Sequence, residues 1–216
     1  LGLVYAAGIW ITLAAFIAVL LAQLARRSFL APLYWLVIVG TTTLGTEISD
    51  FMDRSLGLGY MAGSALLLAT LLLVLAIWRI REGRMRVYPI TERREELFYW
   101  AAILASNSLG TAFGDMLSDY LGFSYMQGAL ITATVIAIVV LVHRFTRLND
   151  VLLFWIAFIF TRPFGATFGY LLTKPTHSGG MALGTLPATL VTAALLGLLI
   201  IVAHREERKE HAGSMA

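Results

Sequence analysis

The sequence predicts an all-α protein, a polytopic transmembrane helix bundle, and three observations carry that prediction. The 216 residues are 59% hydrophobic and only 13% charged, whereas a water-soluble domain carries about 25% charge. Seven apolar stretches run at 3–24, 33–52, 60–80, 97–117, 123–143, 152–172 and 182–203, each close to the roughly 20 residues that span a bilayer. A two-helix pattern then recurs along the chain. This composition excludes an ordinary soluble enzyme, a disordered chain and a nucleic-acid binder. The absence of Cys removes disulfides, thiolate metal sites and cysteine nucleophiles.

The spans are joined by short connections, so neighbours form antiparallel hairpins within one transmembrane domain over 1–216. Basic residues mark one side of the bilayer. Arg26 and Arg27 follow the first span, and Arg79, Arg81, Arg84, Arg86, Arg93 and Arg94 surround the link after the third. Arg144 and Arg147 follow the fifth, and Arg205, Arg208 and Lys209 follow the seventh. By the positive-inside rule these segments are cytoplasmic. The tail 206–216 is therefore inside and Leu1 outside. Tyr34-Trp35, Tyr99-Trp100 and Phe154-Trp155 open the second, fourth and sixth spans on the cytoplasmic side, where amphipathic rings serve as interface anchors.

A shift of 65 residues lays the second and third spans over the fourth and fifth without a gap. Between 33–63 and 98–128, 12 of 31 positions are identical, among them Tyr34/Tyr99, Trp35/Trp100, Gly45/Gly110, Thr46/Thr111, Asp50/Asp115, Gly57/Gly122 and Gly63/Gly128. Apolar composition alone does not align Gly, Tyr, Trp and Asp. A shift of 55 lays the sixth span over the fourth, matching Trp155 to Trp100 and Gly165 to Gly110, with Tyr170 in the place of Asp115. Residues 1–8 overlay 56–63. The repeats are thus 1–30 (second half only), 31–96, 97–150 and 151–205. The full unit expected is four parallel two-helix repeats, eight helices, with matching residues at matching depths.

The stretches Gly45-Thr46-Glu47-Ile48-Ser49-Asp50, Gly110-Thr111-Ala112-Phe113-Gly114-Asp115 and Thr161-Arg162-Pro163-Phe164-Gly165-Ala166, with the recurring Trp, resemble the repeat of an uncharacterised bacterial membrane-protein family, the DUF347 repeat family. The resemblance implies four tandem two-helix repeats in a bacterial inner membrane, and it implies no particular substrate. Members of that family can carry an acid where this chain has Tyr170.

Polar residues inside the spans are the candidate functional set. An ionisable group there costs at least about 2.5–3.5 kcal/mol. Arg162 lies ten residues past Leu152, about 15 Å along the helix and near mid-bilayer. It aligns with Asn107 and Thr42, and Pro163 after it predicts a disturbed helix. Glu47, Asp50 and Asp115 lie toward the outer half, with Thr46 and Thr111 beside them. These oxygen donors suit a hard divalent cation at Glu47, Asp50 and Asp115, or a proton-exchanging carboxylate. Asp53 and Asp119 read as solvated helix ends, Asp50 as a partner of Arg54, and His177 as a loop histidine.

No P-loop, His-Glu-x-x-His, Gly-x-Ser-x-Gly or dinucleotide fingerprint occurs. No enzyme activity and no cofactor is expected. The expected partners are the lipid bilayer and a small ion. Two function classes fit: a transporter or channel for a small ion, foremost a hard divalent or proton-coupled cation with a small anion at Arg162 as rival, and a non-transporting scaffold, sensor or lipid-interacting protein. The orientation has a direct check. Reporter fusions after Arg84 and after Arg208 should read cytoplasmic, and one in the 175–180 loop periplasmic. The reverse pattern removes the charge-based topology.

Overall fold

The structure is a computed structural model that describes residues 2–26, 30–83, 85, 92–146 and 148–198, leaving aside the side chains of residues 2–7, 31, 54 and 178. Among the described residues seven helices follow the seven apolar stretches: α1 (Gly2–Ala25), α2 (Ala31–Asp50), α3 (Gly59–Glu82), α4 (Arg93–Asp115), α5 (Tyr125–Phe145), α6 (Asp150–Thr173) and the shorter α7 (Thr185–Leu198). The described residues contain no strand. Gly8–Ala25 of α1, and α3, α5 and α6, are long and apolar enough to cross a membrane. The polar helices are α2 and α4, which carry the Thr, Asn, Asp and Glu residues of the candidate set. The far end of the seventh span, beyond residue 198, lies outside the described residues.

Local chemistry sets the helix ends. Pro32 sits in the first turn of α2 after extended Leu30, where a missing N–H costs nothing. Ser124 and Gln127 form a reciprocal capping box that starts α5. Asn149 Oδ1 accepts from the backbone N–H groups of Val151 and Leu152 at the start of α6. α3 ends on Gly83 in the left-handed region, with Arg79 and Arg81 in its last turn.

The repeat is visible in the backbone. Both α2 and α4 finish in a five-residue π-helical turn, Phe51–Ser55 and Met116–Tyr120. Each turn closes alike, Leu56 N–H on the Phe51 carbonyl at 2.9 Å and Leu121 N–H on the Met116 carbonyl at 2.9 Å. Glycines with positive φ follow at matching positions, Gly57 at 64° and Gly122 at 68°. Asp50 and Asp115 are the last α-helical residues before these turns. In the third copy, where Tyr170 replaces the acid, α6 continues to Thr173 without a π turn.

Residues 1–167 form one unit and 168–216 another. In the first, α1 packs on α2, α2 on α4, and α3 on α4. The outer helix of one repeat therefore leans on the inner helix of the next. α4 is the most enclosed, with Ala102, Ile103, Ser106 and Ala112 fully buried. α1, α3 and α5 expose rows of large apolar side chains such as Trp10, Leu72 and Val140, the surface a bilayer requires. Glycines set the close approaches. A Cβ on Gly45 would lie 3.0 Å from Asn107 Cβ of α4, and one on Gly110 would lie 2.5 Å from Arg162 Cβ of α6. Small residues at crossings let helix backbones meet in this way.

In the second unit the chain folds back on the end of α6. Met181 and Leu183 donate their N–H groups to the carbonyls of Leu171 and Leu172 at 2.7 and 3.0 Å. A 3-10 turn, Thr176–Ser178, carries exposed His177. Lys174 Nζ stands 5.1 Å from the Tyr170 ring centroid.

Helix contact predicts a contrast between two equivalent glycines. Gly110→Val should cost about 1–3 kcal/mol by overpacking against Arg162. Gly165→Ala, with nothing within 4 Å of its Cβ position, should stay within about 0.5 kcal/mol of the parent. Unfolding in mixed micelles reads both, and equal effects would contradict this packing.

Candidate functional site

The second, fourth and sixth helices bring equivalent residues together. Tyr34 and Tyr99, matched by the repeat, share a hydrogen bond between their hydroxyls at 3.0 Å. Contact between equivalent positions places them near the axis that relates the repeats. Further steps of four along α2 reach Ile38, Thr42, Thr46 and Asp50, with counterparts Ile103, Asn107, Thr111 and Asp115 on α4. The end that carries Tyr34 and Tyr99 is apolar and aromatic: Ile103 is fully buried, with Ile38, Phe154 and Phe158 packed on the same core. The middle is polar. Asn107 Nδ2 donates to Thr41 Oγ1 at 3.1 Å, a buried bond between α4 and α2.

Arg162 completes the middle layer from α6. It sits halfway along that helix, and its side chain is half-buried. Its Cβ and Cγ press against Gly110, and the guanidinium reaches across to α2. There Nη2 donates to the Thr42 carbonyl at 2.9 Å and to Thr46 Oγ1 at 3.3 Å. Nε is buried and makes no hydrogen bond. A cation inside a span calls for a carboxylate, but among the described residues none is a hydrogen-bond partner of Arg162. Among the described residues it takes neutral oxygens only, because Thr46 rather than Glu47 occupies the facing position on α2. One residue of helix turns a side chain by about 100°, and Glu47 instead accepts a hydrogen bond from Thr12 Oγ1 of α1 at 2.9 Å.

Thr46 and Thr111 behave as equivalents. Each hydroxyl donates to the carbonyl four residues back, Thr42 and Asn107, at 3.1 Å in both cases. Asp50 and Asp115 stand at matching ends of α2 and α4. The metal trio expected from Glu47, Asp50 and Asp115 does not assemble. Among the described residues no group of three His, Cys, Asp or Glu side chains is placed to hold a metal ion. Glu47 and Asp50 come from α2 and Asp115 from α4, and Glu47 is turned toward α1. The pairing of Asp50 with Arg54 falls on a side chain outside the described residues.

Three further readings change. Trp100 and Trp155 are each 2% exposed, so they are core residues, not interface anchors. Trp100 stands against Tyr34 and Tyr99, and Trp155 edge-on to Trp78. Trp35, 63% exposed, fits the anchor role. Asp53 is not a solvated end: both its oxygens are buried, beside Gly63. Asp119 is exposed, as expected, and accepts from the Tyr60 hydroxyl at 3.2 Å. Pro163 lies inside α6, which runs on through it.

Sequence reading passed over a second polar cluster. Gln23 Nε2 of α1 and Trp100 Nε1 both donate to Glu96 Oε1, at 3.0 and 3.3 Å. The signal was a lone Gln near the end of an apolar span, as Thr12 is a lone hydroxyl within the same span.

These features define a repeat-built, all-α membrane-type bundle with a guanidinium at its centre. The pattern described as a Repeat of Unknown Function (DUF347) matches residues 33–84, 98–149 and 153–209. The chain belongs to the DUF347 repeat family, and each match takes in one inner and one outer helix. No curated protein and no solved structure matches the chain.

The Asn107–Thr41 bond has a measurable consequence. Asn107→Ala should cost roughly 0.5–1.5 kcal/mol, the range of interhelical hydrogen bonds in membrane proteins. Thr41→Val in the same background should then add less than it does alone. A double-mutant cycle with full additivity would show that the two side chains do not interact.

Proposed function

We propose that this chain is a multi-pass transporter or channel that passes a small ion along a polar path between α2, α4 and α6. It would sit in a bacterial inner membrane with its C-terminus in the cytoplasm. The observation that supports this reading is Arg162. A guanidinium stays charged at any working pH, and halfway along a span it costs at least about 2.5–3.5 kcal/mol. A purely structural tie would favour an oppositely charged partner, and Arg162 has two neutral acceptors.

The path has three zones. Asp50 and Asp115, with Thr46 and Thr111 one turn deeper, line the outer part. Thr42, Asn107 and Arg162 form the centre. Ile38, Ile103, Tyr34 and Tyr99 close the inner part, and the Tyr34–Tyr99 contact must part for an ion to pass. A closed end on one side of a central site is the arrangement that alternating access requires. The acids would raise the local concentration of cations at the outer mouth or take up protons, while the centre selects.

Flux assays test the reading. Purified protein in proteoliposomes should move at least one ion from a panel of Ca²⁺, Mn²⁺, H⁺, Cl⁻ and nitrate. Arg162→Gln should change that flux by about tenfold or more, since it alters the charge at the centre of the path. Asp50→Asn and Asp115→Asn should change its dependence on outside ion concentration. A folded parent that moves none of these ions would return the polar layer to a bundle-holding role and support the scaffold reading.

A further inference from the structure

We infer that Arg162 forms a binding site for a small monovalent anion, of the chloride, nitrate or short-carboxylate class, so that the ion selected at the centre is an anion. The binding stands on the geometry alone. Its place in a path rests on the transport reading above.

The first argument is charge. Arg162 carries one positive charge, and among the described residues its partners are a backbone carbonyl and a hydroxyl. Neither neutralises it. One bound monoanion would bring the layer to zero net charge. A dianion would leave a net negative charge in the same low-dielectric layer, and a divalent cation would add to the positive one.

The second argument is donor geometry. A guanidinium offers five N–H donors in a planar fork. Nη2 is engaged by α2, while the buried Nε–H is not. An unmet donor on a charged group is what an anion satisfies, through a charge-assisted hydrogen bond. The Thr46 hydroxyl lies 3.3 Å from Nη2 and now donates to the Thr42 carbonyl. Its proton can rotate toward an anion at the guanidinium, which adds a neutral donor without moving the backbone.

The third argument is placement. Gly110 holds the Arg162 stem by contact with Cβ and Cγ, so the head is fixed against α2 and has little freedom to swing toward the outer mouth. The acids stand off. Glu47 faces Thr12 of α1. Asp50 and Asp115 lie eight residues beyond Thr42 and Asn107, about 12 Å along the helices.

The experiment is titration of the full chain in nanodiscs of zwitterionic lipid with sodium nitrate, sodium chloride and sodium acetate by calorimetry, with sodium sulfate as the divalent comparison. The expected result is one saturable site for at least one monoanion, and weaker or no binding of sulfate. Arg162→Gln should weaken it by about tenfold or more. Arg162→Lys should bind measurably, more weakly than the parent. Glu47→Gln should bind as the parent does. Circular dichroism confirms the fold of each variant, and Thr46→Val, a weaker binder by the same argument, serves if Arg162→Gln fails to fold. The inference is overturned if the folded parent shows no saturable monoanion site, or if Arg162→Gln or Thr46→Val binds with parent affinity. Flux separates the two readings. Anion binding without ion flux leaves the site and removes the path. Cation flux that survives Arg162→Gln leaves the path and removes the anion as the ion it selects.

Discussion

The bond from Arg162 to the Thr42 carbonyl, across the face of α4, is the constraint on which the inner arrangement depends. A guanidinium in the middle of a span must reach acceptors, and its side chain is long enough to do so only if the helices are close. Gly110 removes the side chain that would hold α4 and α6 apart, and Gly45 does the same between α2 and α4. The repeat therefore places a glycine three residues beyond the polar position on each inner helix. The polar residue of one repeat, Asn107 or Arg162, then fits over the glycine of the repeat before it. The contact is renewed from helix to helix although the polar residue changes.

That change is where the symmetry of the repeat breaks. Thr42, Asn107 and Arg162 hold one depth in three copies of the same unit, yet they are a hydroxyl, an amide and a cation. A scaffold assembled from repeats can use the same neutral group at each copy. Here the amide is consumed by Thr41, and the threonine supplies the backbone oxygen that the cation reaches. The same divergence appears toward the outer end. Asp50 and Asp115 each precede a π turn, a rare geometry often found at functional sites. Tyr170, their counterpart, precedes none. Acid and backbone distortion occur together and are lost together, which links the π turn to the carboxylate rather than to the repeat as such.

Much of the architecture was legible because the signals that define it are local or periodic. Apolar length marks the helices, and the shared register of Trp, Gly, Thr and Asp marks the repeat. The inner and outer roles of the helices follow from where Thr, Asn, Asp and Arg accumulate. The partners were not legible. Whether Thr46 or Glu47 faces Arg162 depends on a rotation of about 100° between adjacent residues, and hydropathy does not fix that rotation. Trp100 and Trp155 were misplaced for a related reason. An aromatic residue at the end of a span suits the headgroup boundary or the interior equally, and only the neighbours Tyr34, Tyr99 and Trp78 decide. Asp53 read as solvated because the sequence does not show that Gly63 leaves room against its carboxylate.

Pro163 gives Gly110 a second task. Proline has no N–H, so the Ile159 carbonyl, four residues earlier, lacks its usual helical donor, yet α6 runs on through that point. In a bilayer such a carbonyl must find another neighbour. The Ile159 oxygen lies 3.1 Å from the position a Cβ would take on Gly110, so any side chain there would be forced against it. With glycine, the α4 backbone can come close enough for a weak Cα–H contact to that oxygen. Arg162 Cβ presses on the same Gly110. One glycine thus accommodates both the carbonyl deprived of its donor by Pro163 and the stem of the charge that precedes it. The Arg-Pro pair and the glycine facing it form one structural unit, which sets the stem from which the guanidinium reaches the Thr42 carbonyl.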